Sequence, residues 1–285
     1  MRSVKSEFIR SWAPALLVVP LILGTATAGD TYPATLDQGF QALYNLDFDR
    51  AQQQFATYQN QHPDDPMGPV AEASGLLFNE LNRTGLLNSR FFDRDSAFTF
   101  SPTPKPDPGT YQRFASALRR AEVLAQPRLA ADRNDRNALL ALALANGLRA
   151  DYSALFEHKY NVALHYTRDA TSYARQLLMI CPDCYDAYIA TGISRYLIGS
   201  LSAPLRWILR MGGFSGDKKQ GIAELQLVSE RGHYLAPYAR ILLAIAEIRE
   251  KNTTRARQLL MELRDEYPGN PLFARELASL NKGQE

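Results

Sequence analysis

From Gly39 to Pro63 the chain reads GFQALYNLDFDRAQQQFATYQNQHP. Leu36, Phe40 and Leu43 recur at helical spacing just before and within it, which predicts a helix over Thr35–Leu46. Ala51, Phe55 and Tyr58 stand at i, i+4 and i+7 and predict a second helix over Asp47–Gln61. His62-Pro63-Asp64-Asp65-Pro66 ends that helix, because proline cannot continue the hydrogen-bond ladder. Small residue, aromatic, alanine, aromatic and proline follow in the order Gly39, Phe48, Ala51, Phe55, Pro63. This is the grammar of an interlocked helical hairpin.

Outward from this stretch the grammar returns at Ala256, Leu260, Leu263 and Pro268, and the hexapeptide ARQLLM occurs at both Ala174–Met179 and Ala256–Met261. Register marks fall at Ala51, Ala121, Ala174, Ala223 and Ala256, the last two 256 − 223 = 33 residues apart. That gap is close to the ~34 residues of a tetratricopeptide repeat, which the pattern resembles. The wider gaps locate insertions. One runs from Arg83 to Gly109 with alternating Pro102, Pro104, Pro106 and Pro108, an extended, non-helical composition. Another lengthens the helices between Ala138 and Ala174, and a third spans Gly199–Gly216. The expected fold is all-α: a tetratricopeptide-like solenoid of four to five hairpins. It divides into residues 1–28 (cleavable signal), 29–82 (first hairpin region), 83–109 (Pro-rich insertion) and 110–285 (repeats, with the insertion at 199–216).

The third insertion, within YLIGSLSAPLRWILRMGGFSGDKKQG (Tyr196–Gly221), is similar to a signature segment of the tetratricopeptide family related to the inclusion-body clearance proteins. The matching residues are Ser200, Leu201 and Pro204, then Gly213, Phe214, Gly216 and Asp217. The resemblance implies a repeat fold with a turn set between two hairpins.

The N-terminus reads as a targeting device. Arg2, Lys5 and Arg10 precede the apolar run Ala13–Gly24, and Ala26-Thr27-Ala28 supplies a signal-peptidase site before Gly29. The 12-residue run is short of the ~20 needed to cross a bilayer and contains Pro20. The expectation is export to the periplasm or beyond, with no stable membrane insertion. The formal charge of +2 resides wholly in the first 28 residues; the other 257 carry 29 basic and 29 acidic side chains. A balanced chain gives no general attraction to nucleic acid.

Both cysteines of the chain stand in Cys181-Pro182-Asp183-Cys184. In an oxidising compartment a local disulfide across an inter-helix turn is expected, with a reduced pair or a thiol–disulfide exchanger as alternatives. Redox chemistry wants the first thiol at a helix N-terminus, whereas Cys181 ends a helix. His158 and His165, read as sharing one helix face with Asp169 beyond, stand too far apart along the axis (about 10 Å) to hold one ion. Gly212–Lys218 lacks the ending of a phosphate loop, and Asp217 reads as a helix cap. No GxSxG or HExxH occurs, so no catalytic residue, metal site or cofactor is expected.

Seven of the 14 tyrosines lie between Tyr152 and Tyr196. Tyr152, Phe156 and Tyr160 read as one helix face, and either a core stripe or a peptide-binding groove accounts for them. Arg206, Trp207 and Arg210 among Leu205, Ile208, Leu209 and Met211 make a short basic amphipathic turn; a buried bracket between repeats is expected, with a membrane contact as the alternative. The leading expectation is an exported, non-enzymatic scaffold holding a protein or peptide along its concave face through Tyr152, Tyr160 and Tyr166. A redox protein using Cys181 and Cys184 and a peripheral membrane adaptor are the alternatives.

Overall fold

The computed structural model describes residues 33–87 and 105–282, all within one compact unit. The expected signal segment, and Pro102 and Pro104 of the Pro-rich insertion, lie outside the described residues. Among the described residues there are twelve α-helices and no strand. In chain order these are α1 (Ala34–Tyr44), α2 (Phe48–Gln61), α3 (Met67–Arg83), α4 (Pro108–Ala131), α5 (Arg136–Leu155) and α6 (Tyr160–Ile180). After a single 3₁₀ turn come α7 (Tyr188–Gly199), α8 (Ala203–Met211), α9 (Lys218–Arg231), α10 (Ala236–Arg249), α11 (Thr253–Glu266) and α12 (Pro271–Lys282).

Asp and Asn start many of these helices by accepting an otherwise orphaned backbone N–H. Asp47, Asp107, Asp135, Asp217 and Asn252 bond the amides of Arg50, Thr110, Ala138, Gln220 and Arg255. Pro108 therefore belongs to the first turn of α4, not to an extended segment, since the first turn has no N–H partner for proline to remove. The helices pack as successive neighbours: α1 on α2, α3 on α4, α5 on α6, α7 on α9, and α10 on α11.

In the first hairpin Ala51 and Phe55 are fully buried and the Phe55 ring fills the space over Gly39, where any Cβ would overlap it. The two ARQLLM segments take equivalent roles. Ala174 and Leu177, like Ala256 and Leu259, are buried, while Met179 and Met261 face solvent. Ala223, read as a register mark, is exposed. The small buried position of α9 is Gly221, 35 residues before Ala256 (256 − 221), and it lies directly on the α7 backbone.

The two ends of the array meet. The Tyr44 hydroxyl donates to the Tyr234 carbonyl at 2.9 Å, and the Asn270 amide donates to the Tyr44 carbonyl at 2.9 Å. Asn45 Oδ1 accepts the Gly269 N–H at 2.9 Å, and Asp37 meets His233 Nε2 at 2.6 Å. The rings agree: Phe40 lies 5.0 Å from Tyr234 and Tyr44 lies 5.4 Å from Tyr267. Phe78 of α3 also reaches Tyr238 of α10, at 5.6 Å. One hydrophobic core consequently contains buried residues of both α1 and α12, with members from every helix between them except α6 and α8.

Candidate functional site

The segment from Gly199 to Asp217 leaves the packed array and returns to it, and its local chemistry explains how. At the stem, Gly216 lies against the Gly199 backbone so closely that a Cβ would stand 2.6 Å from the Gly199 nitrogen. Pro204 sits in the first turn of α8, where its missing N–H costs nothing. Gly213 ends the excursion with φ +86°, a left-handed conformation that suits glycine. Phe214 is 9% exposed, its N–H bonded to the Leu209 carbonyl at 3.0 Å and its ring 5.1 Å beneath the Arg168 guanidinium. Asp217 then caps α9. Pro204, Gly213, Phe214, Gly216 and Asp217 thus each have a physical task.

What the turn holds up is α8, and no residue of α8 is buried. Trp207 is 64% exposed, Ile208 58%, Met211 73% and Leu205 44%. The buried bracket expected here is not what forms. At 100° per residue, Trp207, Met211, Pro204, Ile208 and Leu205 cover one continuous face, while Arg206 and Arg210 lie together on the other. Arg206 donates to the Gly199 carbonyl at 2.9 Å, which fixes the polar side of α8 toward the stem and leaves the apolar side outward.

Beside the C-terminal end of α8 lies a cleft of about 380 Å³ between α6, α7 and the Gly213–Ser215 turn. Its lining includes Arg168, Arg175, Thr171, Ser172, Gln176 and Ser194, together with the exposed Met179, and no carboxylate. Arg168 donates to the Gly212 carbonyl at 2.9 Å. A second depression, of about 460 Å³, lies where α1 meets the α11–α12 turn and is lined by Gln41, Asn45, Asp47, Arg50 and Gly269.

The tyrosines separate. Tyr152 is 6% exposed, its ring stacked among Tyr111 at 4.8 Å, Phe114 at 5.2 Å and Phe156 at 5.0 Å. Burial raises its hydroxyl pKa to about 12. Tyr160 is half-exposed and does not share its helix: α5 ends at Leu155, and His158 turns the chain with φ +54° before α6. The expected single face through Tyr152, Phe156 and Tyr160 is therefore broken, and so is the shared helix face of His158 and His165. Tyr166 lies under the Arg149 guanidinium at 5.7 Å. The structure brings none of the three together with α8.

Cys181 and Cys184 form a disulfide that closes the turn between α6 and the 3₁₀ turn. Cys181 is 8% exposed and caps the C-terminus of α6, where the helix field disfavours a thiolate. Next to it, Asp186 accepts the N–H groups of His233 (3.0 Å), Tyr234 (3.0 Å) and Leu235 (3.2 Å), pinning the α9–α10 turn. Burial outweighs those donors and holds the Asp186 carboxyl above its usual range. Asp151, half-buried on α5, is pushed up to about 7 by burial alone. Among the described residues no group of three or more His, Cys, Asp or Glu side chains is arranged to hold a metal ion, and no helix is long and apolar enough to cross a membrane.

Sequence reasoning found the residues of α8 and its turn but not the cleft. Arg168, Arg175 and Ser194 come from two helices, and only tertiary packing brings them together. Compared with protein-family models, curated proteins and solved structures, the chain matches none.

Proposed function

We propose that this protein is an exported, non-enzymatic helical docking module of tetratricopeptide type, and that it engages its partner through α8. The observation that carries this reading is the outward apolar face of Leu205, Trp207, Ile208 and Met211 on a helix with no buried residue. Large apolar side chains scattered singly are ordinary on a protein surface, but a contiguous group on one element marks an interaction site. Tryptophan and methionine are also among the residues enriched where interfaces form. The interlock of Gly39 with Phe55 and the matched ARQLLM segments support the tetratricopeptide assignment. The concave-face reading through Tyr152, Tyr160 and Tyr166 has less support, because the Tyr152 ring is committed to a stack of four aromatic rings.

The test is site-specific photo-crosslinking in the native cell. A photoreactive residue at position 207 should give an adduct, to protein or lipid, that the same residue at exposed Glu262 on α11 does not. Equal labelling, or none, at the two positions removes α8 as the docking element.

A further inference from the structure

We infer that the surface met by α8 is an anionic phospholipid bilayer, and that the Arg168–Arg175 cleft receives a lipid phosphate. The inference rests on the proposed docking role of α8 and names its partner. Two independent features carry it, one apolar and one electrostatic.

The apolar feature is the shape of α8. A helix that lies in a membrane interface has one apolar face, basic residues along the other, and often an interfacial tryptophan. Trp207, Ile208 and Met211 meet the first requirement and Arg206 and Arg210 the second. Nine residues are too few to span a bilayer but enough to lie in its headgroup layer, which agrees with the absence of any spanning helix among the described residues.

The electrostatic feature is local, in a chain whose charge is balanced from position 29 onward. From Ala187 to Gly216 there are three arginines and no Asp or Glu. Arg195 is paired with Glu224 inside the fold, so the exposed charge of this stretch is that of Arg206 and Arg210, which flank the apolar face of α8 on its stem side. The cleft adds Arg168 and Arg175, two turns apart on α6, with the hydroxyls of Thr171, Ser172 and Ser194 around them; no carboxylate lines it, and Glu224 behind the lining, shared between Arg195 and Arg175, is the nearest acidic group that acts on either arginine. A guanidinium carries five donors in a planar fork, so Arg168 retains capacity for a phosphate after its bond to Gly212. Because Gly213 and Phe214 form one wall of the cleft, two and three residues beyond Met211, an apolar helix and a cationic cleft are placed side by side. Acyl chains and a phosphate headgroup present those two chemistries together; a second copy of this chain would bring its own arginines against these.

The experiment uses the chain from Gly29, which contains the whole compact unit and omits the apolar Ala13–Gly24 run, which would bind vesicles by itself. In it Trp207 is the sole tryptophan. With vesicles of phosphatidylglycerol and phosphatidylcholine at low salt, the expected results are co-sedimentation and a shift of Trp207 emission to shorter wavelength. Purely zwitterionic vesicles should bind about tenfold more weakly, given the salt-sensitive part of the attraction. Trp207→Ser with Ile208→Ser should abolish the partition. Arg168→Gln with Arg175→Gln should lower it about tenfold, toward the zwitterionic level. All these side chains are exposed, and circular dichroism would show whether the variants keep their helix content. No binding to anionic vesicles overturns the lipid inference; if position 207 still crosslinks to a protein, the docking role of α8 survives it. Self-association in sedimentation velocity that Ile208→Ser removes assigns the face to a second copy and also overturns the inference. Binding of free inorganic phosphate to the cleft, with no vesicle binding, overturns it as well.

Discussion

Single side chains in this protein are tested most severely where the backbone leaves no space. A Cβ on Gly221 would stand 2.5 Å from the Tyr196 nitrogen and 2.8 Å from the Gly192 carbonyl oxygen, both backbone atoms that cannot yield like a flexible side chain. Gly221→Ala should therefore destabilise by about 1–3 kcal/mol in chemical denaturation. At Gly147 of α5 a Cβ would meet no heavy atom within 4 Å beyond its own helix backbone, so Gly147→Ala should stabilise by about 0.5–1 kcal/mol through helix propensity. Asp151 sets a pH dependence of definite sign. Its folded pKa, about 7, exceeds the ~3.9 of an unfolded aspartate, so between those values the folded state binds more protons. Stability should accordingly fall as pH rises from about 4 to 7, and Asp151→Asn should flatten that part of a Tm–pH series. The residue-level signals in the sequence were uneven. Gly39, Ala51 and Phe55 announced their packing through spacing, whereas Ala223 stood in the expected place and proved exposed because Gly221, two residues earlier, makes the contact.

At the scale of elements, α8 and the turn that follows it behave oppositely. Trp207→Ser and Ile208→Ser should change unfolding free energy by less than about 0.5 kcal/mol, since neither side chain is buried by folding. Phe214→Ala, three residues past the helix, should cost about 3 kcal/mol, because that ring fills the space under Arg168. Thermal or urea unfolding of the three variants checks both statements. The amphipathic pattern of α8 was legible in its sequence, but the direction it faces was not. That direction depends on Gly199 and Gly216 touching at the stem and on Arg206 reaching the Gly199 carbonyl. The tyrosine stripe failed for a local reason: the chain turns left-handed at His158, and periodicity continued through such a point joins residues that no longer share a helix.

Across the whole molecule the governing fact is that α1 is held by the α9–α10 and α11–α12 turns, through Tyr44, Asn45 and Asp37. An open solenoid is close to one-dimensional: each unit feels only its neighbours and can unfold from an end. Here the ends are each other's neighbours. Asn45→Ala deletes the acceptor for the Gly269 N–H and should cost about 1 kcal/mol. The distinguishing measurement is hydrogen exchange, in which the variant should raise exchange in α11 and α12 as well as in α1 and α2. Protection changes confined to the first hairpin would show that the seam carries no energy. The sequence pattern, read unit by unit, specified helices and hairpins but carried no sign of this seam, whose partners are separated by 190 or more positions.

A seam of this kind also constrains how the gene can change. Tandem arrays usually grow and shrink by duplicating or losing a unit, because an extra unit only lengthens an open stack. In this chain one added hairpin would displace Tyr234, Tyr267 and Gly269 from the groups of α1 that they meet. An insertion that leaves those contacts in place carries no such penalty, and the excursion that bears α8, closed at its stem by Gly199 and Gly216, is of that kind.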